Sequence, residues 1–243
     1  MYQNSIEQLK KLLEESRYTV ALLGSGMMEE GGTCVIRSEE RAYDIETRYG
    51  VSPEYIFSSA YYNTRTEKFF EFYKEEILNV KQEQTESGKA LAQLEREGKL
   101  NCIITGNIYE VSRRCGCQNV IDLHGSIYHN WCPHCHTQYP LEYIMNSKGI
   151  PRCEKCGTVV RPLVSLFGEM VDSQLMTKAT TEIEKADVLM LLGTNMNSDV
   201  FSNYIGYFEG KAIVIIHQRP HFLDKEAEMV FIDEPKNILT QLV

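Results

Sequence analysis

Five short apolar runs recur along the chain: YTVALLG (18–24), NCIIT (101–105), NVIDLHG (119–125), DVLMLLGT (187–194) and AIVIIHQ (212–218), with MVFID (229–233) as a weaker sixth. Each is a nearly continuous stretch of aliphatic and β-branched residues, not an alternation of apolar with polar ones. That pattern suits a strand buried on both faces, the usual state of a strand in a parallel sheet. Elsewhere the apolar residues fall at helical spacing. Ile6, Leu9, Leu12 and Leu13 mark an opening helix, and further helices are expected around 173–185 and over 235–243. Buried strands alternating with helices predict an α/β fold with a doubly wound parallel sheet.

Two stretches break this rhythm. Residues 39 to about 99 carry no buried-strand signal, and FFEFYKEEIL (69–78) within them has aromatic and aliphatic residues at helical spacing, so a helical insertion is expected. Residues 127–160 contain paired cysteines and are expected to form a small separate module. No internal repeat and no low-complexity linker is evident.

Composition narrows the functional classes. The chain has 243 residues, 43% hydrophobic and 24% charged, as in an ordinary globular protein, and a net charge of −9. An acidic chain lacks the basic face that phosphate backbones require, so no nucleic-acid partner is expected. It is compatible with a lysine-rich peptide partner. The opening MYQNSIEQLKKLLEESRY is mixed in charge, unlike a signal peptide, and no apolar run approaches the ~20 residues that span a bilayer. A cytoplasmic protein with no membrane partner is the expectation. In that setting eight cysteines are read as thiols and metal ligands rather than disulfides.

Cys132-x-x-Cys135 and Cys153-x-x-Cys156 are separated by seventeen residues. Two residues between paired cysteines let both thiolates reach one ion from a tight turn, and the spacer brings a second such turn opposite. One tetrahedral Zn2+ is expected. Four thiolates leave no open position for water, so the metal supports the fold rather than chemistry. A redox role for the two pairs is the alternative. His134 and His136 are expected as exposed turn residues. Cys102, in an apolar run, is expected to be a small buried residue, and Cys115 and Cys117 to be packed or exposed without a metal.

The first apolar run ends in Gly24-Ser25-Gly26. A glycine turn between a strand and a helix N-terminus lets backbone N–H groups approach a pyrophosphate. Taken alone, the turn is equally compatible with no ligand, because Glu29 stands where the third glycine of a dinucleotide fingerprint would be.

LGSGMMEEGGTCVIRS (23–38) lines up with TGAGISxxSGIPDFRx, TGNIYEVSRRCGCQNV (105–120) with TQNIDGLHxxAGxxNV, and VRPLVSLFGEM (160–170) with VRPxVVxFGE, and in these motifs the chain resembles the sirtuin family. IDLHGS (121–126) is similar to the segment carrying the family's catalytic histidine, and DVLMLLGTN (187–195) to the strand ending in GTS. SPEYIFSSAYYNTRTEKFFEFYKEEI (52–77) resembles the helical segment of bacterial members. The resemblance covers nearly the whole chain in order. It implies a Rossmann-like NAD-binding domain from 1–38, 101–126 and 161–243, a helical module over 39–100 and a zinc module over 127–160. It also implies NAD-dependent removal of acyl groups from lysine, with an acyl-lysine peptide or protein as substrate.

On this resemblance His124 is the general base and Asn107 positions ribose or water. Gly24, Ser25, Gly26, Arg37, Thr105, Gly106, Asn107, Tyr109, Gly193, Thr194, Asn195 and His217 fall on cofactor positions. Val164, Phe167, Gly168 and Glu169 fall on the strand that pairs with substrate backbone. Several positions depart from the pattern. IPDF has become Thr33-Cys34-Val35-Ile36, and TQNID has become Thr105-Gly106-Asn107-Ile108-Tyr109. The family places nicotinamide and ribose contacts there, and a tyrosine cannot offer a carboxylate's charged acceptor. His217 stands where the family usually has an asparagine for the adenine side, and Asn195 replaces a serine. The resemblance therefore implies a deacylase with an altered nicotinamide pocket. Two alternatives are an impaired sensor or reader of NAD or ADP-ribose, and a protein ADP-ribosyltransferase. Arg41 and Tyr43 lie near where some relatives select acidic acyl groups.

Overall fold

A computed structural model of the chain describes residues 2–32, 36, 38–80 and 83–243. The described residues form nine strands: β1 (Thr19–Leu23), β2 (Cys102–Thr105), β3 (Val120–Asp122), β4 (Gly125–Trp131), β5 (Gln138–Tyr139), β6 (Arg161–Val164), β7 (Val188–Leu192), β8 (Ala212–His217) and β9 (Met229–Ile232). All six apolar runs are strands of one parallel sheet, in the order β3-β2-β1-β7-β8-β9. β1 and β7 are buried at every position, as their unbroken apolar pattern requires. The strand order reverses between β1 and β7, where a doubly wound sheet opens a crevice at its carboxyl edge.

Internal contacts divide the chain into two units. The first comprises 1–32, 83–123 and 172–243, and the second 33–82 and 124–171. In the first, Ile6, Leu9 and Leu13 of the opening helix pack with Ala90, Leu91 and Leu94 and with Ile238 and Leu239 on one face of the sheet, around Ala21, Ile103 and Met190. The helix Glu86–Arg96 thus belongs to this core, so the helical stretch expected over 39–100 is shared between the two units. Its N-terminus is held twice. Thr85 Oγ1 accepts the Gly88 N–H at 3.0 Å, and Glu30 Oε1 accepts Glu86 and Ser87 N–H at 2.7 and 3.1 Å.

The second unit holds a three-stranded sheet, β5-β4-β6, and a set of short helices. The helix Thr66–Phe72 continues as a π-helical segment, Tyr73–Leu78. Phe57, Tyr62, Phe69, Phe70 and Tyr73 form a ring cluster, with Phe69 5.1 Å from Tyr62 and 5.5 Å from Phe70. Glu76 lies in the π-helical segment and is only 4% exposed. Its carboxylate is satisfied by Arg41, by Arg48 at 2.9 Å and by the Tyr49 hydroxyl at 3.1 Å. Arg41 is thereby committed to a buried partner, while Tyr43 is exposed. Lys74 donates to Ser147 O, Ser147 Oγ and Gly149 O at 2.6, 2.8 and 2.9 Å, which ties the helices to the cysteine-bearing segment. No helix among the described residues is long and apolar enough to cross a membrane.

Candidate active site

The four cysteines Cys132, Cys135, Cys153 and Cys156 converge, with all four sulfurs within 4.8 Å of one another. The Cys132–Cys156 and Cys135–Cys153 separations are 3.4 Å, and Cys135–Cys156 is 3.8 Å. Four sulfurs at about 2.3 Å from a tetrahedral zinc stand about 3.8 Å apart, so the set fits that ion. The two turns are equivalent. Cys132 N–H donates to Thr137 O at 2.9 Å, and Cys153 N–H to Thr158 O at 2.7 Å. The residue after each second cysteine, His136 or Gly157, has φ of +57° or +76°. A threonine hydroxyl follows beside each second sulfur, at 3.2 Å for Thr137 and 3.4 Å for Thr158. The two turns thus share a C-x-x-C-x-T pattern. His134 and His136 are exposed, as expected, and stand outside the cluster. Tyr139 was not anticipated. Its hydroxyl donates to Cys153 Sγ at 3.1 Å, and this bond pulls the thiol down to about 6, favouring the thiolate a metal needs.

In the first unit the glycine turn meets the end of β7. A Cβ on Gly24 would stand 2.4 Å from Thr194 Cβ, and one on Gly26 would stand 2.8 Å from Gly193 Cα. Gly193 itself has φ +61°, and a Cβ there would lie 2.6 Å from Met27 N. These three glycines let the two loops touch, locked by Gly26 N–H to Gly193 O at 3.0 Å and Gly193 N–H to Ile216 O at 2.8 Å. The chain then makes short 3₁₀ turns, Ser25–Met27 and Glu29–Gly31, where the sequence suggested a helix N-terminus. No carbonyl among the described residues takes the amides of Ser25, Thr194 or Asn195. Free N–H groups at the carboxyl ends of two adjacent parallel strands fit the phosphates of a dinucleotide.

Beside β1, Thr105 Oγ1 donates to Leu23 O at 3.4 Å and accepts Asn107 N–H at 3.0 Å, while Asn107 Oδ1 accepts Tyr109 N–H at 2.6 Å. The Thr105–Tyr109 turn is thus held by its own side chains, with Tyr109 only 4% exposed. Two cavities flank the glycine turn. One, on the β2 side, measures about 20 Å³ and is lined by Leu23, Met27, Thr85, Thr105, Asn107 and Ser112. The other, on the β8 side, measures about 240 Å³ and is lined by Gly26, Met27, Glu29, Gln218, Glu234 and Lys236. His217 is buried, with its Nε2 3.0 Å from Asp224 Oδ2.

His124 opens the second unit, two residues after the end of β3. Its carbonyl accepts the Ser165 N–H at 2.9 Å. The next residue must be glycine, because Gly125 has φ +73° and a Cβ there would stand 2.0 Å from Leu163 O. The His124 ring is half-buried, and burial lowers its pKa below the ordinary 6.5, so the imidazole is neutral at physiological pH. Nδ1 is buried with no partner among the described residues.

The four positions expected to line a substrate strand are differently disposed. Val164 lies in β6 with its side chain buried. Phe167 is already paired, its N–H to Phe57 O and its carbonyl from Ser59 N–H, each at 3.0 Å. Gly168 has φ +86° and turns the chain. Glu169 faces Arg161 at 2.6 and 2.7 Å and accepts the Leu166 N–H at 2.9 Å, so it braces the turn. Cys102 and Cys117 are buried and pushed up to about 12 by that burial, and Cys115 is half-buried beside Thr85. Arg37, with Thr33, Cys34 and Val35, lies outside the described residues.

Comparison with known proteins agrees with this geometry. The profile of the Sir2 family matches residues 24–199. The NAD-dependent protein deacetylase of Clostridium acetobutylicum is 33% identical over 241 residues, covering 99% of this chain and 98% of that protein. The protein of the same name from Cutibacterium acnes is 36% identical over 227 residues, 93% of each chain. A crystal structure of a Sir2 homolog–NAD complex superposes with a TM-score of 0.84 at 30% identity, covering 97% of this chain and 91% of that one. A structure from work on sirtuin substrate affinity superposes at 0.87 with 25% identity, over 98% and 97% of the two chains. The chain belongs to the Sir2 family.

Proposed function

We propose that this chain is an NAD-dependent protein-lysine deacylase whose nicotinamide pocket has been rebuilt. The observation that carries the reading is His124. Burial holds its ring neutral at the end of the β3 segment, ready to take a proton from a positioned hydroxyl. Ser25, Thr194 and Asn195 would hold the dinucleotide through their backbone amides, and Gly24, Gly26 and Gly193 would let it approach the backbone closely, with Thr105, Gly106, Asn107, Tyr109 and Arg37 as further cofactor positions and His217 at the end of β8 behind them. Bound NAD would supply an electrophilic ribose carbon for the acyl oxygen of a modified lysine, with nicotinamide as the leaving group. His124 would then accept a ribose hydroxyl proton, and Asn107, oriented by its own turn, would position ribose or water. The acyl-lysine peptide would lie against the end of β6 and the turn after it, where Val164, Phe167, Gly168 and Glu169 stand. Zn2+ on the four cysteines would shape the second unit without taking part in the reaction. A cytoplasmic setting belongs to the same proposal.

The rebuilt pocket is supported by the buried Tyr109 and by the β2-side cavity, whose 20 Å³ holds about one water. The contrast with the 240 Å³ cavity on the β8 side favours a second reading, a module that binds NAD or ADP-ribose with little turnover. Incubation with NAD and a panel of acyl-lysine peptides separates the two. Nicotinamide release together with deacylated peptide, the latter abolished by His124→Ala, is the expected result. ADP-ribose binding with no release for any acyl group would establish the second reading instead. An ADP-ribose adduct on protein, seen by mass spectrometry, would mark transferase activity.

A further inference from the structure

We propose that His217 and Asp224 form a positioning pair for the adenosine end of the nucleotide, acting through the loop after β8 rather than by touching the nucleotide. The inference rests on the nucleotide-binding reading above. His217 is the last residue of β8 and is 6% exposed. Its Nε2 stands 3.0 Å from Asp224 Oδ2, which also accepts the His221 N–H at 2.8 Å. His221 returns the contact: its carbonyl accepts the Asp224 N–H at 3.0 Å, and its Nδ1 accepts the Leu223 N–H at 3.3 Å. One carboxylate therefore closes residues 217–224 into a ring.

Three walls of the 240 Å³ cavity meet at this end of β8. Gln218, which lines the cavity, follows His217 directly. The His217 carbonyl accepts the Asp233 N–H at 3.0 Å, and Asp233 Oδ1 accepts the Glu234 N–H and the Asn237 amide at 2.8 Å each. That sets the Glu234–Lys236 wall. The Ile216 carbonyl, one residue earlier, accepts the Gly193 N–H at 2.8 Å and so fixes the loop that touches Gly26. Neither His217 nor Asp224 lines the cavity itself. Asp224 Oδ1 is buried without a partner among the described residues, so the carboxylate depends on its Oδ2 contacts. Removing either partner strands the other in a poorly solvated place, and the loop relaxes to solvate it.

AMP and ADP-ribose titrated calorimetrically into the wild-type protein and its variants test the pair. Both ligands are expected to bind the wild type. His217→Ala and Asp224→Ala should each weaken both ligands about tenfold, and the double variant no further, because the two act as one unit. His217→Gln, whose amide can still donate to Asp224, should recover most of the affinity. In the NAD-dependent reaction the KM for NAD should rise while kcat and the KM for peptide stay level. If His217→Ala does not fold, Asp224→Asn against His217→Gln carries the comparison, with only the former expected to weaken AMP. Wild-type protein that binds neither ligand overturns the nucleotide reading. Wild-type protein that binds both, with His217→Ala and Asp224→Ala binding equally well, overturns the positioning pair alone.

Discussion

The cysteine module and the glycine crevice use the same device, a tight turn that presents atoms to a ligand, at very different sequence ranges. All four sulfurs come from residues 132–156, delivered by two copies of one turn. The crevice draws on Gly24, Thr105, Gly193 and Ile216, which meet only because β1, β2, β7 and β8 stand in parallel register. The first can be assembled by local chemistry once a metal is present. The second depends on the packing of the whole sheet. A local site should therefore fail abruptly when one ligand goes, and a distributed site should degrade by degrees.

Cys153→Ser is expected to have the largest effect. Zinc affinity should fall by more than the ~100-fold that an outer partner can cost, and the second unit should lose its fold, seen in metal content and circular dichroism. A folded, zinc-free variant would break the comparison. His124→Ala comes next. Formation of deacylated peptide should drop on the order of 10²–10⁴-fold with the fold intact. The base must be neutral to act, and burial keeps its pKa below 6.5. The acid limb of kcat/KM should accordingly lie below pH 6.5, with full activity above it.

Gly193→Ala tests the distributed site. The left-handed backbone and the contact with Met27 N should cost about 2–4 kcal/mol in urea unfolding and weaken ADP-ribose binding, leaving zinc untouched. Tyr139→Phe should have the mildest effect. It removes one hydrogen bond to Cys153 and should weaken zinc by about 10–100-fold in a chelator competition, with nucleotide binding unchanged. Coupling of Tyr139→Phe to ADP-ribose affinity would show that the two sites are not separable.

Strands were legible because burial on both faces leaves an unbroken apolar run, and each such run became a strand of the large sheet. Metal ligands were legible because their geometry is set within a few residues. The division of the helices was not. Glu86–Arg96 reads as part of a polar helical insertion, yet Ala90, Leu91 and Leu94 complete the core of the sheet unit. Glu30, which caps that helix from 56 residues away, carries no local signal. Arg41 could be placed near an acyl site by motif, and only the packing of Glu76 shows that its charge is already spent. Glu169 and Phe167 lie on a substrate motif, but the fold gives their polar groups internal partners.

The candidacy of His124 came from motif resemblance; by itself the sequence determined the parallel sheet and the four-sulfur site. These follow from periodicity, spacing and residue chemistry, which act over a few neighbours. The tertiary structure alone decided the unequal cavities on either side of the glycine turn and the burial that lowers the His124 pKa. Each of those depends on solvent exclusion and on partners distant in sequence, and both quantities exist only once the strands have been brought side by side.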